Sequence, residues 1–118
     1  MPDYPAIDQR AIEALQELST AGSNDFLREI VTLYLQDTPV LMAKLDQALA
    51  DRDLMTVSRL AHSIKGSSGN FGATQLAQLA QNLELAAPGG EATVAAVEKL
   101  KAEYARVAAA LMASIASH

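Results

Sequence analysis

The sequence has no cysteine and no tryptophan, and only 4% of its 118 residues are aromatic. The lack of thiols excludes disulfides and thiolate metal sites and suits a reducing compartment. Scarce aromatics beside abundant Ala and Leu favour helices packed at close range over a strand-rich core. Positive charge is also short: 9 basic residues stand against 14 acidic ones, a formal charge of −5. Such a chain is poorly suited to a phosphate backbone, so no nucleic-acid partner is expected. The N-terminus "MPDYPAIDQR" has neither the basic nor the apolar region of a signal peptide. The most apolar run, Val107 to Ala116, is too short to span a bilayer. The expectation is a soluble, cytoplasmic, monomeric protein without a membrane partner, forming one domain over residues 1–118.

Half of the residues are apolar, enough for one core, and they are spaced for helices. Asp8 is placed to cap a short first helix with Ile12, Leu15 and Leu18 on one face. After "STAGSND", Ser23 or Asn24 begins a long second helix with Phe26, Ile30, Leu33, Tyr34, Leu41, Leu45 and Leu49 inward. Pro39 predicts a kink or local break within it, because its ring clashes with the carbonyl one turn back. Asp53 caps a third helix, about 53–70, striped by Leu54, Val57, Ala61, Ile64 and Ser68. A fourth runs over about 74–86 with Leu76, Leu79, Ala80 and Leu83 inward, and "APGG" at 87–90 stops it. The last starts at Glu91, with Val94, Val97, Tyr104, Ala108, Leu111 and Ile115 inward. No useful strand alternation and no internal repeat is present. Short connections favour antiparallel neighbours, so the predicted fold is all-α: an up-and-down bundle of four main helices with an additional short N-terminal helix.

One stretch departs from this economy. "AHSIKGSSGNFGA", residues 61–73, holds three glycines, three serines and the only internal histidine. At about 100° per residue, His62 points roughly 130° away from the buried stripe, into solvent. Met55, Ser58, Lys65, Gly66 and Gly69 share that outer surface. Gly72 and Gly69 read as helix-stop residues, but Gly66 lies one turn after His62, before the apolar rhythm ends. A glycine on an exposed helical face costs about 1 kcal/mol relative to alanine. In return, a bare surface beside an imidazole lets another molecule's backbone approach. Nucleophile, cation and cleared space are together what phosphoryl transfer requires.

The stretch Ala61 to Glu84 resembles the signature of the histidine-containing phosphotransfer (HPt) domain family. The match comprises His62, Ile64, Lys65-Gly66, Ser67-Ser68, Phe71, Gly72-Ala73, Leu76 and Leu83-Glu84. The preceding "FLREIVTLYLQDTPVLMAKLDQAL" is similar to the family's long second helix, proline included. The resemblance implies that His62 is the phosphoacceptor through Nε2, that Lys65 helps neutralise the phosphoryl group, and that Gly66 leaves room for the partner. It implies that Glu84 accepts a hydrogen bond from the histidine Nδ1–H, fixing the tautomer. Many members carry glutamine there, and glutamate adds negative charge near an incoming anion.

No Walker-type or Gly-x-Gly-x-x-Gly loop and no acidic cluster shaped for Mg²⁺ is present, and His62 and His118 do not make a metal site. The sequence therefore predicts a phosphocarrier, not a kinase. It would bind no cofactor itself, with Mg²⁺ held by the partner. The implied partners are response-regulator receiver domains and a hybrid sensor histidine kinase. Docking is expected on Met55, Ser58, Arg59, His62, Lys65, Gly66 and Gly69, with Gln78 and Gln81 as rim contacts. A scaffolding bundle needs no outward His62–Lys65–Gly66 group, and an acyl-carrier-like bundle needs an Asp-Ser-Leu attachment site that the sequence lacks. Met1 and the complete bundle suggest a free-standing protein, although a domain of a larger hybrid kinase would look the same.

Overall fold

A computed structural model describes residues 4–19, 25–92 and 94–116. Five α-helices form: α1 (Gln9–Glu17), α2 (Asp25–Ala50), α3 (Leu54–Gly69), α4 (Thr74–Ala86) and α5 (Val94–Ala116). No strand occurs among the described residues. Helix α2 packs on α3 and α5, and α4 packs on the same two, so the four long helices close a ring around one core. The connections of residues 51–53 and 70–73 are too short for anything but antiparallel neighbours. This is the predicted up-and-down bundle, with α1 laid against α2.

The caps follow the sequence. The Asp8 side chain accepts from the Arg10 N–H at 2.9 Å, and Asp53 accepts from the Thr56 N–H at 3.3 Å and its hydroxyl at 2.7 Å. Helix α2 passes through Pro39 without a break. Pro39 is exposed, so water can reach the carbonyl that its ring leaves without a donor. Between α3 and α4 the chain turns at Gly72 with φ +66°, and a Cβ there would collide with the Asp8 side chain. The Asp8 N–H donates to the Phe71 carbonyl at 3.2 Å. Glycine is thus required twice over: for the left-handed turn and for the approach of the N-terminal segment.

Several positions differ from expectation. Leu18 is exposed, because α1 has ended at Glu17. On α2 the buried stripe runs through Leu27, Val31, Tyr34, Thr38, Met42, Leu45 and Leu49. Phe26, Ile30 and Leu41 lie at its edge, and Leu33 is half exposed on the rim of a groove toward α3. Helix α5 starts at Val94, not Glu91, because Gly90 takes φ +80° and the Glu91 N–H is used to cap Ala86. Val94 is therefore exposed and Ala92 buried in its stead. The expected start of α2 at Ser23 or Asn24 lies outside the described residues.

Candidate functional site

Helix α3 carries the site, and its composition explains how. Its buried stripe is Val57, Ala61, Ile64 and Ser68, so it lies close against both neighbours while its opposite face stays outside. Toward α2 the tie is polar: the Tyr34 and Ser68 hydroxyls meet at 2.7 Å in the core. Burial pushes the Tyr34 hydroxyl pKa up to about 12, the bond to Ser68 opposing. Tyr34 also packs its ring on Phe71, at 5.0 Å between centroids.

His62 projects from the outer face with its side chain 65% exposed. Its Nδ1–H donates to Glu84 Oε2 at 2.8 Å, across from α3 to α4. Lys65 Nζ lies 2.9 Å from the other carboxylate oxygen, Oε1, which is shielded from solvent. The Lys65 ion pair first, and then the His62 ring N–H, hold the Glu84 carboxyl below the ordinary glutamate range against the opposing effect of burial. Glu84 is thus a carboxylate at neutral pH, shared between an imidazole and an ammonium. The shared proton acceptor fixes the ring with hydrogen on Nδ1 and a lone pair on Nε2, the nitrogen turned to solvent.

The three expected central residues therefore converge. Around them, a side chain at Gly66 or Gly69 would meet no atom within 4 Å, so both leave open surface next to the ring. Met55 and Arg59 are exposed on the same face, and Met55 presents 56% of its surface. Ser58 differs from expectation: it is half buried, and its hydroxyl donates to the Glu84 carbonyl at 2.9 Å. Gln81 is exposed roughly 60° around α4 from Glu84, compatible with a rim position. Gln78 is exposed roughly 120° around α4 from Glu84, and its side-chain amide donates to Asn82 Oδ1 at 2.9 Å. Leu85, next to Glu84 and 71% exposed, was not anticipated, because periodicity alone does not separate an exposed leucine from a core one.

A second polar cluster was also illegible in the sequence. Glu103 is buried on α5, accepts from the Tyr4 hydroxyl at 3.1 Å, and pairs with Arg106 at 3.0 Å. Arg106 in turn donates to the Tyr4 carbonyl at 2.8 Å and stacks on the Tyr4 ring. Tyr4 and Glu103 are 99 residues apart, so no local spacing announces the pair.

Comparison with known proteins places the fold and the family. The chain is similar to multistep phosphorelay regulator 1 of Schizosaccharomyces pombe, 29% identical over 82 residues, which are 70% of this chain and 28% of that protein. It therefore spans little more than a quarter of that relative's length. Its fold superposes on the crystal structure of histidine-containing phosphotransfer protein B from Pseudomonas aeruginosa PAO1 with a TM-score of 0.86 and 27% identity, covering 98% of this chain and 99% of the other. The Hpt domain family model matches residues 29–110, which include His62, Lys65 and Glu84, and the chain belongs to that family.

Proposed function

We propose that this chain is a phosphocarrier in a multistep phosphorelay, with His62 as its phosphoacceptor. The observation that carries the reading is an exposed imidazole whose Nδ1–H is held by Glu84 at 2.8 Å, which leaves Nε2 as the nucleophile. The Nε2 lone pair attacks the phosphorus of a phosphoaspartate on a receiver domain. The N–P bond forms as the P–O bond to the aspartate breaks, and the carboxylate leaves. The phosphorylated ring is formally cationic with its proton retained on Nδ1, and the Glu84 carboxylate lies against that proton. The reverse step, to an aspartate of a second receiver, uses the same atoms. Mg²⁺ belongs to the receiver in this scheme, since the Glu84 carboxylate, which meets His62, is already engaged by Lys65, and the described residues hold no cluster of acidic, histidine or cysteine ligands for a metal ion. A hybrid sensor kinase supplies the first phosphoaspartate, in the cytoplasm.

The test is incubation of the full chain with a phosphorylated receiver domain, reading acid-labile label on the chain. Wild type should take up label, and His62→Gln should take up none while its melting temperature stays unchanged, since solvent-facing substitutions move stability by about 0.5 kcal/mol or less. Label persisting on His62→Gln would remove the assignment.

A further inference from the structure

We propose that Ser58 is a positioning residue: it sets the register of α3 on α4 that brings Glu84 to the His62 Nδ1–H. The inference rests on the phosphocarrier reading for its purpose, but its geometry stands apart from it.

The starting point is a proline. In an α-helix the carbonyl of residue i accepts from the N–H of residue i+4. For Glu84 that residue is Pro88, which has no N–H. The Glu84 carbonyl, in the last turn of α4, is left without its helical donor. The Ser58 hydroxyl fills the gap from the neighbouring helix at 2.9 Å. A bond that would otherwise be internal to α4 thus becomes a tie between α4 and α3, placed on the same residue whose side chain meets His62.

The directions fit one another. A helical side chain leans toward its helix N-terminus, while the carbonyls point toward the C-terminus. Helices α3 and α4 run antiparallel. From Glu84 the carbonyl therefore reaches toward the start of α3, where Ser58 lies, and the carboxylate reaches toward its end, where His62 and Lys65 lie. Ser58, His62 and Lys65 are spaced i, i+4, i+7, one stripe of α3. Glu84 grips this stripe at three levels. The level closest to the backbone is the stiffest, and a site of this kind works only when its groups are held within about 0.5 Å. Without the Ser58 tie, the α4 end can shift along α3, and the carboxylate loses its fixed place at Nδ1.

The test reads the His62 tautomer by ¹⁵N NMR of the ring in the full chain, without any phosphorylation. Wild type should show hydrogen on Nδ1. Ser58→Ala should shift the tautomer ratio by at least threefold toward hydrogen on Nε2, and Ser58→Thr, which keeps the hydroxyl, should not. Adding Pro88→Ala to Ser58→Ala returns a backbone donor to the Glu84 carbonyl but no link to α3. That double variant should regain melting temperature and keep the shifted tautomer, so it also serves where Ser58→Ala alone folds poorly. A wild-type tautomer ratio in either alanine variant would overturn the positioning role. Because no phosphoryl group is involved, this result is independent of whether His62 accepts one.

Discussion

Substitution of the glycine at position 66 should make stability and phosphoryl transfer move in opposite directions, and that is measurable. Gly66 lies within α3, roughly 40° around the helix from His62 and one turn further on. A Cβ built there meets no atom within 4 Å, and its backbone needs no left-handed conformation. Nothing in the fold therefore requires glycine. Alanine should gain the full helix-propensity difference of about 1 kcal/mol, partly by restricting the unfolded chain. At about 2.1 cal/mol/K of unfolding entropy per residue, a chain of 118 residues should melt about 4 °C higher. Leucine has nearly the same propensity and should stabilise almost as much. Its branched side chain, however, would stand in the space through which, on the proposed reading, a receiver approaches Nε2. Loss of about 1.4 kcal/mol of docking energy is a tenfold fall in affinity, and we expect at least that in the transfer rate from a phosphorylated receiver. Circular-dichroism melts and single-turnover label transfer on wild type, Gly66→Ala and Gly66→Leu give both quantities. Wild-type transfer by Gly66→Leu would show that the bare surface has no docking role, and a lowered melting point for Gly66→Ala would contradict the open environment.

Four further outcomes are expected. Lys65→Ala should slow transfer without loss of fold, and the difference from wild type should shrink as salt is raised, because a half-exposed ammonium is screened; equal rates at low salt would refute its role. Glu84→Gln keeps an acceptor at Nδ1 and should keep the His62 tautomer by ¹⁵N NMR, whereas Glu84→Ala should lose it; matching spectra for wild type and Glu84→Ala would detach Glu84 from the ring. The buried Tyr34 hydroxyl titrates near 12 in place of 10.0, so its contribution to stability is complete below pH 10 and is lost as pH rises from 10 to about 12. Melting temperature should fall across that window, and Tyr34→Phe should flatten part of the fall, with an unchanged alkaline limb counting against burial of the ionisable group. Ser68→Ala, which takes one partner from that hydroxyl, should cost about 1–3 kcal/mol by thermal melt.

The sequence carried the helices because their signals are local. The carboxylates of Asp8 and Asp53, the APGG stop and the 3.6-residue stripe of α3 each act within a few residues, and each appears in place. The exposed His62 followed from one helical angle. Apart from the helix ends at Leu18 and Val94, what failed had non-local causes. Leu33 continues the apolar pattern of α2 but lies where α2 and α3 diverge into a groove, which only packing decides. Glu103 occupies a core position of α5 because Arg106 and Tyr4 satisfy it, and Tyr4 comes from the other end of the chain. Ser58 read as outer surface by angle alone. The angle cannot say that an orphaned carbonyl of α4 awaits it, although Pro88, four residues after Glu84, was the available signal.

The polar contacts of α3 divide its circumference by task. Toward α2, Ser68 and Tyr34 close a buried hydroxyl pair, and toward α4, Ser58 and His62 grip one glutamate from backbone to carboxylate. Directional bonds on two sides define the rotation of α3 as well as its distance from its neighbours, which an apolar stripe of alanine and valine leaves loosely specified. The third side makes no tie to the core: it bears two glycines, an exposed methionine and arginine, and the Nε2 edge of one ring. If this is the surface offered to a receiver, as proposed, it cannot also contribute to the core, and the helix is held from behind. That separation is why substitutions on the outer face are expected to change transfer and spare the fold, while substitutions at Ser68 are expected to do the reverse.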